Sequence, residues 1–498
     1  MKRLLIALLL AAVAGIGWTP PASAEMVLKV GVPANLNTLD PNKTKSGEEY
    51  ILNWLVYSSL IFLDRSMSAQ PDLAESWEST SDLKTWTFRL RKGVKFHHGR
   101  EFDAEDVVFT INRILDKKTG SKARSNFQIV DKMEAVDKYT VRFQLKEPYG
   151  GFQDLFSSRQ ARIIPRDRVD TLSKEPSGTG PFKFVSYTPG DKIVLVKNPD
   201  YFKPGLPKID RIIFRIIPES SSAVAALETG EIDMIWNLSL ESIKRVESDP
   251  NLMVSRVATS SWDAIVMNIA HDPFKDIRVR QAINMVIDKK EMVDLALFGY
   301  GSPTNTPIPP THPYFNKSLT FDPPDVAGAK KLLAEAGHAD GFEITLYIPA
   351  GRPTRARLGV AARSALQQIG ITANLQTVPW DKFLSDIEGK AAFYVTGFFS
   401  RPTIDTSTWS WYHSSGSWNA GIWNYNNPEM DKILEAGRRS NDDAERRKIY
   451  GEFQALALND SPAVIPYVLN HAVGYSKKVK NFEAHWMLIL DLEAVTLE

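Results

Sequence analysis

A few short strings in this chain could in principle support covalent chemistry. Ser81-Asp-Leu-Lys84 sets a hydroxyl three positions before an amine, the Ser-x-x-Lys spacing of an acylating serine, and Lys118-Thr-Gly120 is the triplet that accompanies such serines. However, no Ser-x-Asn stands between them in the required order, and only about thirty residues separate them. No Gly-x-Ser-x-Gly elbow, His-Glu-x-x-His zinc pair or phosphate loop occurs. His97-His98 is a poor chelate, because neighbouring side chains on an extended segment point apart. The acidic runs Asp103-Ala-Glu-Asp106 and Asn441-Asp-Asp443 suit helix starts, where carboxylates meet free backbone N–H groups. These readings give no catalytic constellation, and the chain is not read as an enzyme.

Binding chemistry is better represented. Trp409, Trp411, Trp418 and Trp423 fall within fifteen positions of loop-like sequence, and indoles supply broad apolar walls for varied ligands. Trp409 and Trp411 are expected at a cleft, and core packing is the competing role. His413 lies among them and keeps a metal-complex ligand open as a second reading.

The elements that must hold such a cleft alternate along the whole chain. Strands are expected at Met26–Val32, Thr85–Leu90 and Tyr139–Leu145, the last two with period-two apolar alternation. Helices are expected from about Glu48 to Leu60 and from Ala104 to Leu115, the latter capped by Asp103. Further strands follow near 182, 193 and 209–217, and one long amphipathic helix is expected over Asp276–Phe298. Helices at 325–336, 353–369, 427–438 and 442–458 then alternate with strands at 342–348, 371–378, 392–397 and 464–475. This rhythm predicts an α/β fold with mixed sheets. Pro176-Ser-Gly-Thr-Gly-Pro181 reads as a domain boundary.

The N-terminus carries an export address. Lys2-Arg3, the apolar run Leu4–Val13 and the small-x-small Ala22-Ser-Ala24 make a cleavable signal peptide over residues 1–24. The absence of cysteine excludes disulfides and a lipid-bearing cysteine, so the expected product is a freely soluble periplasmic protein held by its core. The formal charge of +1 becomes −1 once Lys2 and Arg3 are removed, which gives no broad field for nucleic acid or anionic membrane.

Several motifs then converge on one family. Leu73-Ala-Glu-Ser-Trp77, Thr85-Trp-Thr-Phe-Arg-Leu-Arg-Lys-Gly-Val-Lys-Phe-His97 and Phe102-Asp-Ala-Glu-Asp-Val-Val108 resemble the signature of family 5 extracellular solute-binding proteins. Gly178-Thr-Gly-Pro-Phe182, Asn198-Pro-Asp-Tyr-Phe202, Leu227-Glu-Thr-Gly-Glu-Ile-Asp233 and Pro273-Phe-Lys-Asp-Ile-Arg-Val-Arg-Gln-Ala282 extend the resemblance along the mature chain. It implies the peptide, nickel and opine class of ABC-importer binding proteins. The implied fold is the two-lobed α/β periplasmic binding protein of class II, cluster C, with an extra subdomain. Lobe I would comprise 25–56, 180–265 and 476–498, the subdomain 57–179 and lobe II 266–475. Hinges would lie near Met267-Asn268 and 472–478. A monomer would capture a peptide or peptide-like solute and deliver it to an inner-membrane ABC permease with cytoplasmic ATPase subunits, with no cofactor. Nickel-complex, opine or oligosaccharide binding, or a secreted peptide-handling chaperone or enzyme on the same fold, are the alternatives.

The same resemblance implies ligand residues. Arg352, in Ile348-Pro-Ala-Gly-Arg-Pro353, matches the arginine that dipeptide-binding relatives place on a carboxylate, for which a guanidinium fork is suited. Trp380 matches a cleft tryptophan, and Trp262 is a second candidate. In Gly397-Phe-Phe-Ser-Arg-Pro402, Arg401 stands where those relatives carry an aspartate for the ligand's ammonium, with Phe398 beside it and Asp405 four residues on. A cation there implies a ligand that is longer, N-blocked or more anionic than a plain dipeptide. N-terminal sequencing of the exported protein is expected to return Glu25, and a sequence starting at Met1 would overturn the export reading.

Overall fold

The computed structural model describes residues 25–401, 403–416 and 418–498, so the expected signal peptide lies outside the described residues. An 11-stranded mixed sheet runs through the whole molecule. Its order begins Ile371–Val378, Phe342–Pro349, Phe393–Phe398, then two long strands, Leu252–Met267 and Ala463–Ser476. It continues through Met234–Ile235, Val27–Val32, Arg211–Ile216 and Lys192–Lys197 to Phe182–Thr188, and the eleventh strand, Gly301–Pro303, pairs with Ala463–Ser476 off this path. The two long strands are antiparallel partners, and they carry the chain from one lobe to the other.

Separate cores mark the lobes. Leu28, Val30, Leu52, Ile212 and Val473 belong to the first, and Ile265, Met267, Ile283, Leu346, Leu366 and Tyr467 to the second. A four-stranded antiparallel sheet, in the order Ala74–Ser79, Thr85–Leu90, Thr140–Leu145, Val130–Asp137, forms a subdomain beside the first lobe. Period-two alternation buries Trp86, Phe88 and Leu90 from one strand and Val141, Phe143 and Leu145 from its neighbour. The helix Ala104–Leu115 covers this sheet, and its start is fixed by the Asp103 carboxylate accepting from Glu105 N–H.

Three expectations are corrected. The segment Asp276–Phe298 is two helices, Ile277–Val286 and Lys289–Leu297, because the Asp288 side chain accepts from the N–H groups of Lys290 and Glu291 and so starts a new helix. The supposed loop carrying Trp409 and Trp411 is a helix, Ile404–Tyr412, capped by the Thr403 hydroxyl on Thr406 N–H. Met267-Asn268, expected near a hinge, lies in packed core, with the Asn268 amide donating to the carbonyls of Gly389 and Ala391. The ladder between the crossing strands breaks instead between Ala258 and Trp262.

The glycines of Gly178-Thr-Gly180 answer to a close approach. A Cβ on Gly178 would stand 2.1 Å from the carbonyl oxygen of Val56, at the end of the helix Gly47–Val56. That helix is thereby pressed against the first lobe, and it carries Tyr50 outward.

The second lobe is tied to its crossing strand by a buried ion pair. Arg355 Nε donates to Asp263 at 3.0 Å, and its Nη2 donates to the Gly397 carbonyl at 2.7 Å. Asp263→Ala is expected to destabilise the fold by about 3–5 kcal/mol, the cost of stranding a buried guanidinium. Chemical denaturation measures it, and a loss under about 1 kcal/mol would contradict this role for the pair.

Candidate functional site

Phe342–Pro349 runs parallel to both Ile371–Val378 and Phe393–Phe398, so the three strands end on one edge of the second lobe. The loops leaving that edge carry Arg352, Trp380 and Arg401 respectively, the place where α/β sheets present ligand groups. Arg352 is exposed and lies 4.3 Å over the Trp380 ring, with Arg355 at 5.6 Å over the same ring. A flat cation–π platform is thus formed from two of the expected residues.

Arg401 is held by its backbone rather than by its side chain. Ser260 Oγ accepts from Arg401 N–H at 3.0 Å and donates to the Arg401 carbonyl at 3.1 Å, while Ser261 Oγ accepts from Ser400 N–H at 2.8 Å. These serines are the residues at which the crossing ladder breaks, so their hydroxyls are free of strand duty.

Across the cleft, Tyr50 and Arg159 face Arg401. The Arg159 guanidinium lies 4.8 Å over the Tyr50 ring and spans both lobes, with Nη1 donating to Ser400 O at 3.2 Å and Nη2 to Met487 O at 2.9 Å. Its Nε is buried without a partner. Burial lowers the Arg159 pKa to about 10, with Arg401 adding to the fall and Tyr50 opposing it. Burial lowers Arg401 likewise, against the pull of Tyr50. Burial raises the Tyr50 hydroxyl, which the two arginines oppose.

Among the described residues neither arginine forms a salt bridge, and the acid that acts on Tyr50, Glu49, is already engaged. Glu49 accepts from the N–H groups of Asn37, Lys45 and Ser46, so its charge is spent on starting its own helix. Two half-buried guanidinium groups therefore converge without a carboxylate between them. Such an arrangement costs free energy until an anion enters.

The aromatic expectations divide. Trp262 and Trp411 are 2% and 1% exposed and pack edge to face at 5.0 Å, with Trp262 also stacked on Trp423 at 6.1 Å. They are core, because their indoles fill the space behind the strand Phe393–Phe398. Trp409 is likewise a platform, sandwiched between the Arg438 guanidinium at 3.3 Å and His413 at 3.6 Å. Asp405 cannot compensate Arg401, since both its oxygens are taken by Arg438 at 2.6 and 2.8 Å. His413 is buried beside Asp431 and Glu435, remote in its partners from the arginine pair.

Two aromatics that sequence reasoning left out face solvent instead. Trp418 is 38% exposed, stacked 5.6 Å from buried Trp411, with Arg401 at 5.8 Å over its ring. Phe399 is 74% exposed next to half-buried Phe398, which touches Trp418 at 5.2 Å. Only the low burial of Trp418 separates it from its three neighbours, and no local pattern signals that. Arg159 was also missed, because its role depends on Ser400 and Met487, far away in sequence.

The histidine pair, expected to point apart, reaches one segment of chain. His97 bonds the Gly180 carbonyl and His98 the Ser177 hydroxyl, so both staple the Gly178 segment.

Comparison with known proteins gives a family model, bacterial extracellular solute-binding proteins, family 5 middle, that matches residues 68–419. A glutathione-binding protein of Escherichia coli O1:K1 is 29% identical over 480 residues, covering 94% of this chain and 93% of the relative. The periplasmic binding protein DppA of Helicobacter pylori, solved with the peptide STSA, superposes with a TM-score of 0.78 at 28% identity, covering 95% of this chain and 98% of that one. AgaA of A. tumefaciens R10, solved with agropinic acid, gives a TM-score of 0.78 at 27% identity, covering 95% and 99%.

Trp418→Ala is expected to leave the unfolding midpoint nearly unchanged, whereas Trp411→Ala should cost about 3–5 kcal/mol of stability, the range for emptying a buried aromatic site. Thermal and denaturant unfolding of the two variants check the division into wall and core. Equal losses would contradict it.

Proposed function

The chain belongs to the bacterial extracellular solute-binding proteins of family 5, and on that footing we propose that it captures a peptide-like solute by an anionic group held between Arg159 and Arg401. As a member of this family it is the binding component of an ABC importer and not an enzyme. The observation that carries the ligand reading is the pair of neighbouring guanidinium groups, Arg159 over Tyr50 and Arg401 over Trp418, neither of which forms a salt bridge among the described residues. A ligand carboxylate would accept charge-assisted hydrogen bonds from both. Arg352 on Trp380, with Trp418 and Phe399, would then wall the cleft against the apolar parts of the solute. The named ligands of the similar proteins, glutathione, a peptide and agropinic acid, all carry carboxylates, which supports the same chemistry.

The described form is the closed one in this reading. Gly150 N–H, on the subdomain, donates to the Arg438 carbonyl of the second lobe at 2.7 Å, and Arg159 joins Ser400 to Met487. We place the pivot at the ladder break, Thr259–Ser261, rather than at the ends of the crossing strands. Bending there costs little ladder, because the register is already interrupted.

Isothermal calorimetry with glutathione and with the tetrapeptide Ser-Thr-Ser-Ala tests the ligand chemistry. Arg159→Gln and Arg401→Gln are each expected to lose about 2–5 kcal/mol of binding to whichever probe binds the wild type. Unchanged affinity in both variants, or preference for a neutral sugar, would sink the proposal.

Closure has its own test. A Cβ on Gly150 would stand 2.0 Å from the Ser440 carbonyl oxygen in the closed form, so Gly150→Ala opposes closure without touching either core. Its expected effect is a weakening of about tenfold or more, with an unfolding midpoint close to wild type. Full affinity in this variant would contradict closure onto that contact.

A further inference from the structure

A separate cavity of about 140 Å³ lies at the C-terminal end of the helix Gly47–Val56, and none of the cleft residues named above lines it. Its wall joins stretches far apart in sequence, among them Trp54, Asp72, Arg162, Lys203, Asp491 and Glu493. We propose that this cavity binds a small primary amine bearing a hydroxyl, of about the size of ethanolamine. The ammonium would meet Asp72 and Asp491, and the hydroxyl oxygen would accept from Arg162.

The charges on this wall do not all find one another. Glu493 is satisfied, since both its oxygens accept from Lys203 Nζ at 3.0 Å and Oε1 also accepts from the Tyr201 hydroxyl at 2.6 Å. Asp72 is 6% exposed and Arg162 2%, yet neither forms a salt bridge among the described residues. Half-buried Asp491 forms none either. Ser59 stands between the acid and the base: its N–H donates to Asp72 Oδ2 at 3.0 Å, and its hydroxyl accepts from Arg162 Nη1 at 3.0 Å. The Arg162 Nε is buried without a partner, while the guanidinium rests 4.7 Å over the Trp54 ring. Burial lowers the Arg162 pKa to about 10, against the pull of Asp72, and burial raises Asp72, against the pull of Lys203.

That inventory selects the chemistry of the ligand. Two free carboxylates against one free guanidinium leave a negative charge to be balanced, so a cation is favoured and an anion is not. An ammonium carries three donors and can serve both carboxylates, whereas a hydroxyl oxygen can accept from the Arg162 Nε. A divalent metal ion is a poorer fit. It seeks six or more oxygens, and among the described residues no three acidic or imidazole groups stand together to hold one.

Size and lining narrow it further. At roughly 30 Å³ for a water-sized group, 140 Å³ admits about four or five heavy atoms, which suits ethanolamine and is too few for any peptide. Trp54, Phe62 and Tyr201 supply aromatic surface for a short aliphatic stem.

Calorimetry and thermal unfolding of the mature protein with ethanolamine, choline and potassium chloride at matched ionic strength read the proposal. Ethanolamine is expected to bind saturably and to raise the unfolding midpoint by roughly 1–3 °C at saturation. Choline, whose nitrogen has no N–H to donate, and potassium chloride should do neither. Asp72→Asn and Asp491→Asn should each weaken ethanolamine binding by about tenfold or more. Asp72→Asn is nearly isosteric and keeps an oxygen for Ser59 N–H, and Asp491 is only half-buried, so the second variant stands if the first fails to fold. Arg401→Gln should leave ethanolamine binding within about twofold of wild type, which separates this cavity from the cleft. No saturable binding by the wild type, an equal response to choline or potassium chloride, or undiminished binding in either folded aspartate variant overturns the inference. Loss of binding in Arg401→Gln overturns it too, because the amine would then sit in the cleft.

Discussion

The structure depends on an interruption in its longest strand pair. Leu252–Met267 and Ala463–Ser476 carry the ladder between two cores, and between Ala258 and Trp262 their register fails. A continuous ladder there would have used the backbone and turned the side chains up and down. The break instead frees the hydroxyls of Ser260 and Ser261, which take the backbone of Ser400 and Arg401. Thr259 Oγ closes the gap by donating to Leu469 O. One local irregularity therefore lies in the strands that connect the two lobes and fixes the loop that carries Arg401.

Around that point the fold treats its buried charges in two ways. Some are matched, Asp263 with Arg355, Asp405 with Arg438, and Asp103 and Asp106 with Arg166, and others, Arg162, Arg280 and Lys289, donate to backbone carbonyls and neutral side chains instead. Matched pairs contribute orientation more than net stability, and each punishes the loss of one member. In the cleft, Arg159, over Tyr50, and Arg401, over Trp418, form no salt bridge among the described residues. On the proposed reading a ligand carboxylate supplies the counter-charge of the two cleft arginines.

Local pattern carried much of the architecture. The alternation in Thr85–Leu90 and the cap at Asp103 were legible because each element is half-buried, and a half-buried element shows its period. The crossing strand Leu252–Met267 was not legible, since its second half is buried on both faces and shows no alternation. Asp288 looked like one polar face of a long helix, and only its capping bonds reveal a new start. The resemblance named Arg352, Trp380 and Arg401 as candidates, and each follows a strand end in the structure. Trp262, Trp411 and Asp405 were misplaced for a common reason: residue type says that an indole or carboxylate will find a partner, and long-range packing decides whether that partner is protein or ligand. Arg159 and Trp418 stayed hidden for the same reason.

The central claim is that the cleft of this binding protein is built for a carboxylate. Mass spectrometry of small molecules released from protein purified under native conditions tests it without assuming any ligand. The account predicts a peptide-like compound bearing at least one free carboxylate, recovered unchanged and in near-stoichiometric amount. A neutral saccharide, or any solute without an acidic group, recovered in that amount would contradict it.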